Sequence, residues 1–252
     1  MIDTILEQIR IILSALPPFT EDNALFYILN AFIFLIVFQS LRMILRLALN
    51  KHLALTTSAY TSTTEHDRKI LILGDSTAVG TGASSMEETI AGRLAHDFPS
   101  SQVINLGKNG GLIKDLRAQI DSVKDQTFDM IIISAGGNDV WHFTRLSVIR
   151  QYLAGVLDDA NRMSNNRVIF LLYNNIGAAP VFPGIVQYFL KNRCTSVQHQ
   201  IQVIASQCRV PTIDLFTQDA HNPFLKNPDE LFARDGIHPS SRGYELWYHR
   251  MW

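Results

Sequence analysis

Hydrophobic residues follow different patterns in the two parts of this chain. From Ala24 to Leu41 there is no charged residue over 18 positions, and most side chains are aliphatic or aromatic. From Lys69 onward, short apolar runs alternate with stretches in which apolar residues recur every three or four positions. The short runs predict buried strands, and the spaced pattern predicts helices. Regular alternation of strand and helix is typical of a parallel sheet with helices on both faces.

The second part of the chain is therefore expected to form a series of short elements. Strands are predicted over residues 69–74, 101–106, 128–135, 168–173 and 210–215, and helices over 84–98, 112–123, 146–163 and 195–208. The uninterrupted run of isoleucines at 131–133 indicates burial on both faces of the sheet. We expect an α/β fold with a mostly parallel sheet of about five strands, in a flavodoxin-like three-layer α/β/α arrangement.

The apolar run near the amino terminus predicts a transmembrane helix. Roughly 20 apolar residues cross a bilayer, and we place the helix over residues 24–47, with Arg42 and Arg46 reaching toward the lipid headgroups. A cleaved signal peptide fits less well, because its amino-terminal region is basic and its apolar core is shorter. In a soluble protein the alternative is a buried or dimer-forming helix.

The segments around this helix complete the predicted domain organisation. Residues 1–16 have apolar side chains at helical spacing and predict an amphipathic helix, which lies on the membrane surface or packs on a partner helix. We assign residues 1–52 to a membrane segment, the Ser- and Thr-rich residues 53–67 to a linker, and residues 68–252 to a folded domain.

Basic residues near the ends of the apolar run predict its orientation. Arg10 precedes the run, whereas Arg42, Arg46 and Lys51 follow it. Cytoplasmic flanks carry the excess of Lys and Arg. The prediction is a single-pass protein of the inner or plasma membrane, in contact with membrane lipid through its helix, with the folded domain in the cytoplasm.

Composition and residue spacing bear on which partners and ligands the chain can bind. The chain of 252 residues is 47% hydrophobic and has a net charge of -1, so it offers a substantial core but no basic stripe for nucleic acid. Cys194 and Cys208 lie 14 positions apart in a predicted helix, roughly 21 Å at 1.5 Å per residue, which is too far for a disulfide. The eight histidines form no His-x-x-x-His pair and the cysteines no Cys-x-x-Cys pair, so their spacing indicates no zinc site.

A candidate nucleophile follows the first predicted strand. That strand breaks at Gly74 and is followed at once by Asp75 and Ser76. In an open α/β sheet, ligands bind beyond the carboxyl ends of the strands, which is where this serine is expected to lie. Taken alone, the same residues could form an ordinary strand-to-helix turn capped by Asp75 or Ser76.

Later segments supply the other groups that acyl transfer to a serine requires. Histidine is suited to act as a base because its ordinary pKa is near 6.5, and His238 is the candidate. Asp235, in the same turn, can accept the other imidazole N–H and fix the tautomer. The backbone N–H groups of Ser76 and Gly110 and the side-chain amide of Asn138 can stabilise negative charge on the substrate oxygen.

Four short blocks of the chain contain these candidates: Gly74-Asp75-Ser76, Asn105 with Gly110, Gly136-x-Asn138-Asp139, and Asp235-x-x-His238. Through these blocks, residues 69–252 resemble the SGNH hydrolase family, also called GDSL-like esterases and lipases. The resemblance implies ester hydrolysis by a Ser76, His238 and Asp235 triad, an oxyanion hole of Ser76, Gly110 and Asn138, and no metal or organic cofactor. Asp75, Gly136 and Asp139 are then supporting residues. Thr77 in place of the leucine of the GDSL name and the membrane helix are departures from the family pattern.

The segment after the fourth predicted strand bears on the identity of the substrate. Residues 173–190 form an apolar and aromatic insert that serves as a lid or substrate wall, or else packs on the sheet through Val181, Phe182, Ile185 and Phe189. With the membrane helix, the insert favours lipid-like or short-chain acyl esters. A carbohydrate O-deacetylase would use the same triad, and a non-catalytic binding module would keep the same fold.

Overall fold

The computed structural model describes Glu7, Ile11, Ser14, Thr20 and residues 23–62, 68–173, 176–215 and 222–252. The chain divides into two compact units, Met1–Arg42 and Met43–Trp252. One helix, α1, runs from Ala24 to Thr56 and contributes residues to both units. Apart from Glu7, Ile11 and Ser14, the amphipathic helix expected over residues 1–16 lies outside the described residues.

The α1 helix is apolar and exposed along much of its length. None of its residues is fully buried, and Phe34, for example, is 67% exposed. It is long and apolar enough to cross a membrane or to serve as a signal sequence. The helix continues to Thr56, so residues 53–56, which we expected in the linker, are helical.

The second unit contains the sheet and the helices around it. Its strands are β1 (Arg68–Gly74), β2 (Ser101–Asn105), β3 (Met130–Ser134), β4 (Val168–Leu172) and β5 (Thr212–Asp214). Its helices are α2 (Ser76–Val79), α3 (Ile90–Asp97), α4 (Leu116–Asp121), α5 (Gly137–Trp141), α6 (Leu146–Met163), α7 (Gly184–Gln207), α8 (Pro223–Lys226), α9 (Pro228–Leu231) and α10 (Ser241–His249). Single 3₁₀ turns occur at Met86–Glu88, Ile113–Asp115 and Ile176–Ala178.

The five strands form one parallel sheet in the order β2-β1-β3-β4-β5. This is the order of flavodoxin-like folds. Neighbouring residues along a strand point to opposite faces, and both Leu71 and Ile72 of β1 are at most 2% exposed. Helices therefore cover both faces, which confirms the three-layer α/β/α prediction.

Three helices differ from their predicted bounds. The helix predicted over 112–123 is a 3₁₀ turn at Ile113–Asp115 followed by α4, which ends at Asp121. The helix predicted over 84–98 is a 3₁₀ turn followed by α3, because the Thr89 hydroxyl accepts the Gly92 N–H at 3.1 Å and starts a new helix there. The helix predicted over 195–208 begins earlier, at Gly184, after Pro183 at the N-cap. Much of the apolar insert is thus the start of α7. Cys194 and Cys208, in α7 and at its C-cap, are both free thiols.

Residues after α1 run alongside the outer edge of β2. The Ser62 N–H donates to the Val103 carbonyl at 2.9 Å, and the Val103 N–H donates to the Ser62 hydroxyl at 2.9 Å. Tyr60 packs against the hydrophobic core. This part of the predicted linker is therefore bound to the sheet.

Candidate active site

The candidate nucleophile lies at the carboxyl end of β1. The strand ends at Gly74, Asp75 is the N-cap of α2, and Ser76 is the first residue of this one-turn helix. The Asp75 carboxylate accepts the Thr77 N–H at 2.9 Å, which fixes the turn. The hydroxyl of Ser76 is thereby held at the sheet edge where this fold class binds ligands.

The structure brings Ser76, His238 and Asp235 into one hydrogen-bonded line. His238 Nε2 lies 2.8 Å from Ser76 Oγ, and His238 Nδ1 lies 2.6 Å from Asp235 Oδ2. When Nδ1–H donates to the carboxylate, Nε2 is free to accept the hydroxyl proton. A serine in this setting can be activated by a histidine base that a carboxylate orients.

The turn that carries His238 and Asp235 is held by backbone hydrogen bonds. The Ala233 N–H donates to the His238 carbonyl at 2.8 Å, and the Gly236 N–H donates to the Ala233 carbonyl at 2.8 Å. Phe232 and Pro239 form a short antiparallel bridge across its base. The turn therefore presents the imidazole and the carboxylate from one closed loop before α10.

Asp235 is fully buried but well supplied with donors. Its Oδ1 accepts the N–H groups of Ile237 at 3.0 Å and His238 at 3.1 Å. Burial acts to raise the pKa of Asp235, but the hydrogen bond and charge of His238 and the two backbone N–H groups together hold the pKa below its ordinary value. The carboxylate is thus ionised at neutral pH and can stabilise a protonated imidazole.

The three expected oxyanion donors line the same cavity as the Ser76 hydroxyl. Within the described part of the chain, the N–H groups of Ser76 and Gly110 donate to no acceptor. Asn138 Nδ2 donates to the Gly111 carbonyl at 3.0 Å, which leaves its second hydrogen for a ligand. Gly110 has a φ of 73°, where a side chain would be strained.

Asp75 and Thr77 form a polar cluster beside the candidate nucleophile. The Thr77 hydroxyl lies 2.7 Å from Asp75 Oδ1 and 2.7 Å from the Ser134 hydroxyl at the end of β3. Burial raises the pKa of Asp75 to about 6, although the Thr77 N–H and hydroxyl oppose the rise. Threonine in place of leucine therefore ties the nucleophile's turn to the neighbouring strand, a role that the sequence did not reveal.

Gly136 and Asp139 hold the start of α5, the helix that carries Asn138. Asp139 is buried, and its Oδ2 accepts the Ile113 N–H at 2.9 Å. Burial raises the pKa of Asp139 against the lowering effect of that N–H. Gly136 has a φ of 110°, and a Cβ there would lie 2.9 Å from Ile201 Cδ1, so both conformation and space require glycine.

Gln119 supports the carboxyl end of β1 on the side where β2 pairs with this strand. Its Oε1 accepts the Gly74 N–H and its Nε2 donates to the Gly74 carbonyl, both at 2.8 Å. The pairing of β2 with β1 ends at Ile72, so the amide of Gln119 takes the place of the absent strand. Sequence reasoning missed Gln119. The signal was a polar residue three positions after Leu116, on the apolar face of a predicted helix.

Ser76 and His238 line a cavity of about 250 Å³ with mostly apolar walls. The apolar side chains that line it are Leu47, Ala54, Trp141, Ile176, Phe182, Phe232, Ile237, Pro239 and Trp247. Phe182 stacks on Trp141 with ring centroids 4.8 Å apart. Of the insert residues expected to pack on the sheet, Val181 and Phe182 are buried, whereas Ile185 and Phe189 are exposed.

One wall of this cavity comes from α1. Leu47, Asn50 and Ala54 line it, and their spacing puts them on one face of the helix. The sequence did not predict this role, because the apolar pattern around Leu47 continues that of the predicted membrane helix.

Among the described residues, no group of three His, Cys, Asp or Glu side chains is arranged as a metal site.

The chain is similar to one known family and to several solved structures. A model of the GDSL-like lipase/acylhydrolase family matches residues 72–246, whereas no curated protein matches the chain. A lipase/acylhydrolase from Enterococcus faecalis is 23% identical, with a TM-score of 0.56 over 73% of this chain and 93% of that chain.

Two further structures have the same fold. A member of the lipolytic protein G-D-S-L family from Veillonella parvula is 19% identical, with a TM-score of 0.58 over 73% of this chain and 95% of that chain. An acetylxylan esterase from Geobacillus stearothermophilus is 21% identical, with a TM-score of 0.58 over 75% of this chain and 94% of that chain.

Proposed function

Since the chain belongs to the GDSL-like lipase/acylhydrolase family, whose members hydrolyse esters, we propose that it cleaves carboxylic esters through an acyl-enzyme formed on Ser76. The observation that carries the proposal is the hydrogen-bonded line from Asp235 through His238 to Ser76, with distances of 2.6 Å and 2.8 Å. Both distances lie in the range that proton transfer requires.

In the first half of the reaction, His238 Nε2 takes the proton from Ser76 Oγ as Oγ bonds to the ester carbonyl carbon. The carbonyl oxygen becomes negatively charged and accepts hydrogen bonds from the N–H groups of Ser76 and Gly110 and from Asn138 Nδ2. His238 then gives its proton to the alcohol oxygen as the carbon–oxygen bond of the ester breaks. The alcohol leaves, and the acyl group stays on Ser76.

In the second half, water replaces the alcohol. His238 takes a proton from water as the water oxygen bonds to the acyl carbon, and the same three donors stabilise the oxyanion. Collapse of this intermediate returns the proton to Ser76 Oγ and releases the carboxylic acid. Asp235 remains ionised throughout and stabilises the imidazolium each time that it forms.

The cavity supports a short acyl group. Its volume of about 250 Å³ is below the roughly 300–1,000 Å³ of sites for drug-sized ligands. Trp141, Phe182 and Trp247 close it with aromatic surface. A small apolar acyl chain fits these walls, and the alcohol half of the ester then lies toward the open side.

Removal of acetyl groups from a carbohydrate is the second candidate function. The same small cavity accepts an acetyl group, and the similar structure from Geobacillus stearothermophilus is an acetylxylan esterase. In this case the sugar remains outside the apolar cavity, because burial of its hydroxyl groups without hydrogen-bond partners would be costly. The two candidates differ in the alcohol half and share every catalytic residue.

The apolar part of α1 supports a membrane anchor for this enzyme. A span that retains α1 would make the chain a single-pass membrane protein, with residues 68–252 as its catalytic domain. Basic residues after the apolar run, including Arg46 and Lys51, favour a cytoplasmic position for the domain.

A labelling experiment tests the proposed nucleophile. Detergent-solubilised full-length protein is treated with a fluorophosphonate, and the modified residue is located by peptide mass. We expect the adduct on Ser76, with no labelling of Ser76→Ala or of heat-unfolded protein. An adduct elsewhere, or none in folded protein, would contradict the assignment.

A substrate panel then tests the chemistry. 4-Nitrophenyl esters of two to sixteen carbon atoms are compared with acetylated xylose and with acetylated xylo-oligosaccharides. We expect the highest kcat/KM for acyl groups of about two to six carbons, and a loss of several orders of magnitude in Ser76→Ala and in His238→Ala. A preference for long chains would contradict the short-acyl proposal, and preference for the acetylated sugars would select the second candidate.

A further inference from the structure

The part of α1 that follows Met43 belongs to the same compact unit as the triad. This segment, Met43–Thr56, lies before residues 72–246, which match the family model. Met43 and Leu47 pack against the hydrophobic core of the domain. A helical segment outside the family's own region therefore contacts the domain next to its reaction centre.

The segment contacts the folded domain on two sides of the site. The Asn109 Nδ2 donates to the Ala54 carbonyl at 2.7 Å, and the Thr81 hydroxyl donates to Asn109 Oδ1 at 2.6 Å. On the other side, the position that a Cβ would take at Gly236 lies 2.6 Å from Arg46 Nη1. The segment thus touches the residue before Gly110 and the residue after Asp235.

Asn50 lies between Arg46 and Ala54 along α1, and its side chain faces the triad. Its Nδ2 lies 3.4 Å from Asp235 Oδ2, the oxygen that also accepts His238 Nδ1–H. The other carboxylate oxygen accepts two backbone N–H groups, from Ile237 and His238. Among the described residues, Asn50 is therefore the donor to the carboxylate that comes from outside the Asp235–His238 turn.

We propose that Asn50 is a positioning residue, which holds the Asp235 carboxylate in the orientation that receives His238 Nδ1–H. The inference rests on the proposed ester hydrolysis. Two backbone N–H groups fix Oδ1, but the other donor to Oδ2 is the imidazole itself, so the amide of Asn50 is what holds Oδ2 independently of the ring. Because the amide is neutral, it leaves the charge of Asp235 available to the imidazolium. The Met43–Thr56 segment thereby contributes to the reaction centre of its own unit.

Asn50→Asp tests this placement with little change in side-chain size. A carboxylate at this position would lie beside Asp235 and near His238, and it would favour the protonated imidazole. We expect the acid limb of the pH profile of kcat/KM to move up by about one pH unit, with KM at the pH optimum changed less than threefold. The other ionisable groups around the site are unchanged by the substitution, and they are Asp75, His142 and Arg46.

Lys51→Gln is the matched control. Lys51 is the next residue of the same helix and is exposed, and the substitution makes the same change of one unit in net charge. We expect its pH profile to coincide with that of the unmodified protein. Equal displacement of the acid limb in Asn50→Asp and Lys51→Gln, or of neither, would overturn the proposal.

A second variant and a second measurement keep the test independent of folding and of activity. Asn50→Leu removes the donor at similar size, and we expect kcat to fall about tenfold at unchanged KM; full activity would overturn the proposal. If the unmodified protein hydrolyses no ester in a Ser76-dependent manner, the proposed function fails instead. In that event, NMR titration of the His238 ring still decides the placement, because Asn50→Asp should move its midpoint to higher pH.

Discussion

Asp75 is a buried carboxyl group directly before the candidate nucleophile, and its surroundings make it hard to ionise. It is 2% exposed, and burial raises its pKa from 3.8 to about 6 in spite of two hydrogen bonds from Thr77. Between about pH 4 and pH 6, the unfolded chain has lost this proton while the folded protein keeps it. The folded state then binds more protons, so the free energy of unfolding falls as the pH rises through this window.

Asp75→Asn should remove this pH-dependent cost, which is on the order of 3 kcal/mol for a shift of about two pKa units. The asparagine oxygen can still accept both hydrogen bonds from Thr77. Chemical unfolding of the solubilised protein at pH 4 to 8, followed by circular dichroism, should show the variant gaining stability relative to the unmodified protein as the pH rises, and reaching a constant difference above pH 7. The exposed Asp125→Asn serves as the control. Parallel stability curves for Asp75→Asn and the unmodified protein would rule out a raised pKa for Asp75.

At the residue scale, the sequence predicted those groups whose chemistry is set by their type and by the short motif that contains them. Ser76, Asn138 and His238 stand in short polar blocks bordered by glycine, and the structure brings all three to one cavity. The role of Gln119 could not be predicted, since it depends on where β2 stops pairing with β1. The proposed role of Asn50 could not be predicted either, because the apolar residues around it continue the pattern of the predicted membrane helix.

At the element scale, the carboxyl end of β1 depends on a side chain in place of a strand. Gln119 is 9% exposed and pairs with both backbone groups of Gly74. The Gly74 carbonyl also accepts the Lys108 N–H at 3.1 Å, whereas Gln119 is the acceptor that the structure provides for the Gly74 N–H. The position of the following Ser76 turn therefore depends on α4.

Gln119→Leu should lower the free energy of unfolding by about 2 kcal/mol, because it leaves a buried N–H without a partner. The measurement is chemical unfolding at pH 7, compared with Gln151→Leu at an exposed position of α6, where we expect a change within about 0.5 kcal/mol. Equal stability of the two variants would show that water or another group replaces the Gln119 amide.

The strands were predictable as elements because each is a short apolar run, and the β1 to β4 bounds agree within two residues. The start of α7 was not predictable from periodicity. Ile185, Tyr188 and Phe189, in its first turns, are apolar but exposed. They therefore weaken the contrast between an apolar face and a polar face, which is the sequence pattern that identifies a surface helix. Pro183 and Gly184 favoured a loop in the same place.

At the scale of the whole molecule, the proposed anchor predicts how the full-length protein fractionates. We expect it in the membrane pellet after alkaline carbonate extraction, with an intact mass that accounts for all 252 residues. Ile33→Lys combined with Val37→Lys should release it, because each charge in the centre of a span costs roughly 3 kcal/mol. A purified protein that lacks the residues through the end of the apolar run would instead identify that run as part of a cleaved signal sequence.

The contact between Ser62 and β2 bears on how shortened forms of this protein would behave. β2 is an edge strand of the sheet, and an edge strand offers unpaired N–H and C=O groups to other chains. Ser62 occupies both backbone groups of Val103, near the middle of that edge. A fragment that begins at β1 would keep Ser76, Asp235 and His238 yet leave this edge open, so it would be prone to aggregation through edge-to-edge strand pairing between copies.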